Sequence, residues 1–124
     1  MSVAEVAQGL VDLCRQGQFG AAIDKYYSDD IVSVEPVAMP GMEAEQKGID
    51  AIRAKNQWWS ENNEVHGLEL GGPYVGDSQF AVHFKIETTP KMTGQRTTMI
   101  EMGLYTVADG KITREEFFYN TPGA

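Results

Sequence analysis

Apolar positions in this chain change their period about halfway along. In residues 2–16, Val3, Val6, Ala7, Leu10 and Cys14 recur at three- and four-residue steps. That spacing predicts an amphipathic helix ending before Gly17. A second, shorter helix is expected over 18–26, with Phe19, Ala22, Ile23 and Tyr26 or Tyr27 on one side. Ser28-Asp29-Asp30 reads as a turn and Ile31–Glu35 as a short β-branched strand. The next stretch, PVAMPGMEAEQKG, is broken by Pro36, Pro40 and Gly41 and reads as a loop. A third helix is expected over 49–63, where Ile49, Ile52, Asn56 and Trp59 share a face and an Asn-Asn pair marks the end.

From His66 onward the period is two. HGLELGGPYV, SQFAVHFKIETT, QRTTMIEMGLYTV and KITREEFFYN each alternate or nearly so. Turns at Gly76-Asp77, Pro90–Gly94 and Ala108-Asp109-Gly110 separate them, and Asp-Gly tolerates the positive φ of a tight hairpin. Gly71-Gly72-Pro73 reads as a break in its strand. Consecutive strands joined by short turns pair antiparallel. The order α-α-β-α-β-β-β-β predicts an α+β fold, with helices on one face of a curved antiparallel sheet. At 124 residues the chain is one domain, 1–124, with room for a single core.

Charge narrows the partners. Acids outnumber bases 18 to 10, a formal charge of −8 that repels phosphate backbones and anionic membrane surfaces. No apolar run approaches the roughly 20 residues of a membrane span, and MSVAEVAQGLVDLC reads as a helix without a basic leader, so a cytoplasmic protein is expected. Cys14, the single cysteine, falls in step with the apolar face of the first helix and reads as a small hydrophobe. His66 and His83 lie in separate strands without metal-ligand spacing, and no glycine-rich phosphate loop occurs; neither a metal nor a cofactor is expected.

Alternation also sorts the side chains. In QFAVHFKIE, Phe80, Val82, Phe84 and Ile86 form the inward face, because burying Lys85 and Glu87 unpaired would cost several kcal/mol each. His83 then points outward. In the next strand both faces are largely apolar, as suits a sheet buried on one side and dimerised on the other.

FGAAIDKYYSDDIVSVEP, KGIDAIRAKNQWW, GGPYVG, FKIE and YTVADGKITREEFFYN together resemble the NTF2-like superfamily, and within it the SnoaL-like and ketosteroid-isomerase-like proteins, over almost the whole chain. The resemblance implies a cone: a sheet wrapped around the third helix, enclosing an apolar cavity, in a homodimer paired through the sheet's outer face. It places Glu101, Gly103 and Tyr105 inside, and Glu115, Phe117 and Tyr119 likewise. The expected pocket is thus Tyr27, Asn56, Trp59, Val82, Phe84, Tyr105, Phe117 and Tyr119. The family's general base, a carboxylate before a proline at the end of the strand after the second helix, corresponds to Glu35. Its oxyanion tyrosine falls at Val11 and its protonated acid near Gly103, so Glu101, held neutral, is the candidate substitute, with Tyr105 or Tyr119 supplying a phenol.

A carboxylate in an apolar cavity has its charge penalised and becomes a better base at neutral pH. The expected function is therefore a cofactor-free isomerase, cyclase or hydratase acting on a small apolar carbonyl compound, with Glu35 and Glu101 as catalytic residues. The alternatives are a non-catalytic module binding a hydrophobic ligand, or a dimeric scaffold whose cavity Trp59, Phe84, Tyr105 and Phe117 fill themselves. The loop with Met39 and Met42 reads either as a cover over the cavity or as a surface loop.

Overall fold

Ser2 opens the first helix, α1 (Val3–Arg15), with a reciprocal cap: its hydroxyl accepts from the Glu5 amide while the Glu5 carboxylate accepts from the Ser2 amide. In the computed structural model, which describes residues 1–38 and 41–120, α2 (Phe19–Tyr26) follows and runs directly into β1 (Tyr27–Val34). After the loop come β2 (Glu45–Lys47) and α3 (Ile49–Asn62). The side chains of Asn62 and Asn63 donate to the Trp58 and Trp59 carbonyls, closing the C-terminal end of α3. Strands β3 (Asn63–Val75), β4 (Gln79–Pro90), β5 (Thr97–Ala108) and β6 (Lys111–Phe118) complete the chain.

The six strands form one curved, unclosed mixed sheet in the order β2-β1-β6-β5-β4-β3. The four long strands pair antiparallel, as their short turns require, and Asp109 and Gly110 both take positive φ in the last hairpin. One pair departs from an all-antiparallel sheet, since β1 lies parallel to β6. Three further differences concern backbone that carries no periodic signal. Residues 28–30 belong to β1, with Asp29 and Asp30 exposed where the β1–β6 register shifts. Residues 45–47 form an edge strand against Val32–Val34, held by backbone pairing and not by a side-chain pattern. Gly71–Pro73 is an irregularity inside a continuous β3, with Gly72 at φ +103°, and not a break.

Helices and inner sheet face meet in one core. Leu10, Ile31, Ile52, Phe80, Val82 and Ile112 are almost wholly buried there, and the alternation of β4 puts Phe80, Val82, Phe84 and Ile86 inside. His83 lies on the opposite, outer face. Met42 is half-buried and Met39 lies outside the described residues. Among the described residues no helix is long and apolar enough to cross a membrane.

Candidate functional site

Between the three helices and strands β4–β6 the core leaves a cavity of about 200 Å³, so the aromatic side chains do not fill it. Its walls are mostly apolar, with Leu10 and Ile52 above and Phe84 and Met99 below. Tyr105 stacks on Phe80 at 4.8 Å between ring centroids and meets Phe117 edge-on at 6.1 Å. Such pairs hold rings in place better than area burial alone.

The cavity brings together Glu35, Glu101, Tyr27, Asn56, Trp59, Phe84, Tyr105, Phe117 and Tyr119 from the expected set. Val82 is the exception: fully buried, it packs in the core and does not reach the wall. It sits opposite Gly103, across which the Tyr105 ring lies, and that ring occupies the wall instead. The same ring explains the absent acid at position 103, where even a Cβ would meet it at 2.8 Å. Glu101 lies one inward position away along β5 and lines the cavity.

Three polar residues complete the site that the sequence reasoning did not single out as functional: Ser33, Lys55 and Glu115. Lys55 is buried on the inner face of α3, and its Nζ donates to Glu35 Oε1 at 3.2 Å and to Ser33 Oγ at 2.5 Å. Ser33 donates onward to Glu115 Oε1 at 2.9 Å, and the Tyr27 hydroxyl donates to Glu115 Oε2. A continuous hydrogen-bonded chain thus runs Glu35, Lys55, Ser33, Glu115, Tyr27. The signal was present in the spacing: Ile52, Lys55 and Trp59 share one helical face, and Ile31, Ser33 and Glu35 one strand face. Glu35 is consequently no solitary acid in an apolar hollow but half of a desolvated ion pair, with side chains 9% and 11% exposed. An ammonium has three N–H groups; two are committed here, and the third has no acceptor among the described residues.

Glu101 is the acid without a partner. Among the described residues its carboxyl group makes no hydrogen bond, and burial, reinforced by the charge of Glu35, pushes its pKa up to about 7. Burial also raises Glu115, against the pull of Lys55 and of the Tyr27 and Ser33 hydroxyls. The Tyr27 and Tyr105 phenols are driven upward by burial and by Glu115, and the Tyr119 phenol by burial and by Glu35. Cys14, on the wall, is pushed up to about 12 by burial and stays a protonated, unreactive thiol. Val11, at the family's tyrosine position, is buried in the core, and the Tyr27 phenol is tied to Glu115. Among the described residues no three His, Cys, Asp or Glu side chains converge as metal ligands.

Three helices on the inner face of a curved sheet thus leave a partly open cavity that a few acids line. The chain belongs to the SnoaL-like domain family, whose profile matches residues 1–119. It is 52% identical to a protein from Mesorhizobium loti provisionally named a SnoaL-like polyketide cyclase and, in the same name, a carbohydrate phosphatase, with a TM-score of 0.89 over 96% of this chain and 100% of that one. An NTF2-like protein from Burkholderia thailandensis shares the fold at a TM-score of 0.82 and 16% identity, covering 97% of this chain and 92% of that one. So does a Pseudomonas putida protein provisionally named a polyketide cyclase, at 0.71 and 18%, covering 97% and 92%. No protein of curated function matches the chain.

Proposed function

We propose that the cavity is the reaction chamber of a cofactor-free proton-transfer enzyme, an isomerase or cyclase acting on a small apolar carbonyl compound. Its general base is Glu101, with the Lys55–Glu35 pair as the electrostatic partner. One observation carries this reading. An unbonded carboxyl group faces the same apolar chamber as an ammonium that keeps one N–H uncommitted. Glu101 removes the proton from the carbon next to the carbonyl, and the electron pair moves to the oxygen. The developing oxyanion accepts from the third N–H of Lys55, which Glu35 and Ser33 hold in place. Returning the proton to another carbon gives an isomer; attack of the enolate carbon on a second carbonyl of the same molecule closes a ring, opens that carbonyl's π bond to an alkoxide, and the proton on Glu101 passes to the alkoxide oxygen. No electrons leave or enter, so neither outcome needs a redox partner. Glu35 thereby moves from the base expected of it to a positioning residue, because an acid already bound to an ammonium must break that contact to take a proton. The polyketide cyclase name of the Mesorhizobium loti protein is consistent with the same enolate chemistry.

The test is exchange of carbon-bound protons for deuterium in enolisable ketones, followed by proton NMR in D₂O. Glu101→Gln lowers the rate about 10²–10⁴-fold, the usual contribution of a positioned acid–base group. Exchange unchanged in that variant overturns the assignment, and binding without exchange in the native chain leaves a ligand-binding module.

A second copy of the chain on the outer sheet face belongs to the same proposal. Ile100 and Phe118 are 57% and 51% exposed there, beside half-buried Met102 and Leu104, and no helix among the described residues covers them. Sedimentation equilibrium is expected to give twice the 13.7 kDa chain mass, and a single mass overturns the pairing.

A further inference from the structure

Helix α3 turns two neighbouring polar residues in different directions. Lys55 and Asn56 both line the cavity, but successive helical residues stand about 100° apart around the axis. Lys55 reaches toward β1 and its end, where Ser33 and Glu35 hold it. Asn56 reaches toward α2: its Nδ2 lies 3.8 Å from the point that a Cβ on Gly20 would occupy. Phe19, Ala22, Ile23, Ile52 and Trp59, the other α2 and α3 residues on the wall besides Lys55, present mainly hydrocarbon. The Asn56 amide is also unclaimed. Among the described residues it makes no hydrogen bond, although the residue is half-buried and lines the cavity. Unlike Gln46 Oε1, which is sealed away without a partner, it stays within reach of whatever enters.

A carboxamide offers two N–H donors and an oxygen acceptor, so it pairs with a hydroxyl or with a carbonyl. In a mostly apolar cavity the few polar groups fix how a ligand lies. Lys55 and Glu101 take the reacting carbonyl and the proton beside it. We propose that Asn56 receives a second oxygen of the substrate, a hydroxyl or carbonyl remote from the reacting one, and so selects oxygenated ketones over plain hydrocarbon ones. This rests on the reading of the cavity as the reaction chamber. Asn56 does no chemistry; it sets which way round the ketone lies. A ketone without the second oxygen leaves the amide unpaired, and that loss is the source of the discrimination.

The experiment compares tetralone with hydroxytetralones whose hydroxyl lies on the aromatic ring away from the carbonyl, by isothermal titration against the native chain and the Asn56→Leu variant. At least one hydroxytetralone is expected to bind the native chain about fivefold more tightly than tetralone, the worth of one net hydrogen bond. In Asn56→Leu, which keeps the bulk and favours the helix, the ratio falls to near one. Asn56→Ala shifts the ratio the same way and serves should the leucine variant fail to fold. Hydroxytetralones that bind no better than tetralone, a preference that the variants keep, or a native chain that binds none of these ketones overturns the assignment. The reaction fails separately. A preference that depends on Asn56, with deuterium exchange equal in native and Glu101→Gln proteins, sinks the base and leaves Asn56 in its role; exchange that depends on Glu101, without the preference, does the reverse.

Discussion

Helix α3 presents two cations two residues apart, and the protein treats them oppositely. On the outward face Arg53 Nε lies 3.0 Å from Asp24 Oδ1, with the side chains 49% and 64% exposed. On the inward face Lys55 Nζ lies 3.2 Å from Glu35 Oε1, with the side chains 11% and 9% exposed. Distance alone would rank the two pairs equal. Water decides otherwise: the outer pair exchanges one polar environment for another, whereas the inner pair has lost its hydration and depends on its partners. Only a desolvated ammonium is of use to an oxyanion, because its field is not screened. The inner pair is thus tied to the chemistry proposed for the cavity and the outer one to the surface.

Breaking the inner pair has the largest expected effect. Lys55→Met strands Glu35 beside Ser33 and lowers stability in urea denaturation by about 3–5 kcal/mol. The double variant Lys55→Met/Glu35→Met recovers most of that loss; a single variant as stable as the native chain would show that the pair is hydrated after all. Glu101 sharpens the contrast, being a half-buried acid with no salt bridge among the described residues. Folding holds its proton up to about pH 7, against an ordinary value of 4.5. Between those values the folded chain binds a proton that the unfolded chain has released, so stability falls as pH rises through this window. The expected loss is roughly 3 kcal/mol at 1.36 kcal/mol per unit. Glu101→Gln flattens the slope, seen as a native-minus-variant difference between denaturation at pH 5 and at pH 8. Ionising Glu101 also creates the base, so deuterium exchange rises through the same range. At the surface, Arg53→Met costs less than about 0.5 kcal/mol, and added salt removes most of that. A loss as large as that of Lys55→Met would erase the distinction between the two faces.

Period told most of the fold. Three-and-four spacing placed the helices to within a residue or two, and alternation in β4 sorted Phe80, Phe84 and Ile86 inward and His83 outward. Where backbone pairs without a side-chain pattern, as in Glu45–Lys47, or where a pair is parallel and remote in sequence, as β1 with β6, no local signal existed. The site was legible as a set of facing residues, including Glu35 and Glu101, but not in their roles. Ser33 and Lys55 were in step with their inward neighbours yet were not singled out, because a lysine is rarely buried.

The order of residues by itself determined the element types and the inward face of β4, since these follow from periodicity and from the cost of burying unpaired charge, while the acids expected in the cavity were placed by the family resemblance. Tertiary structure alone decided which acid meets the ammonium. Glu35, Lys55, Ser33 and Glu115 come from β1 and its end, α3 and β6, and their spacing along the chain carries no measure of distance or of water. Burial and the nearest opposite charge set what each carboxyl group does, and both exist only after the sheet has wrapped around the helix.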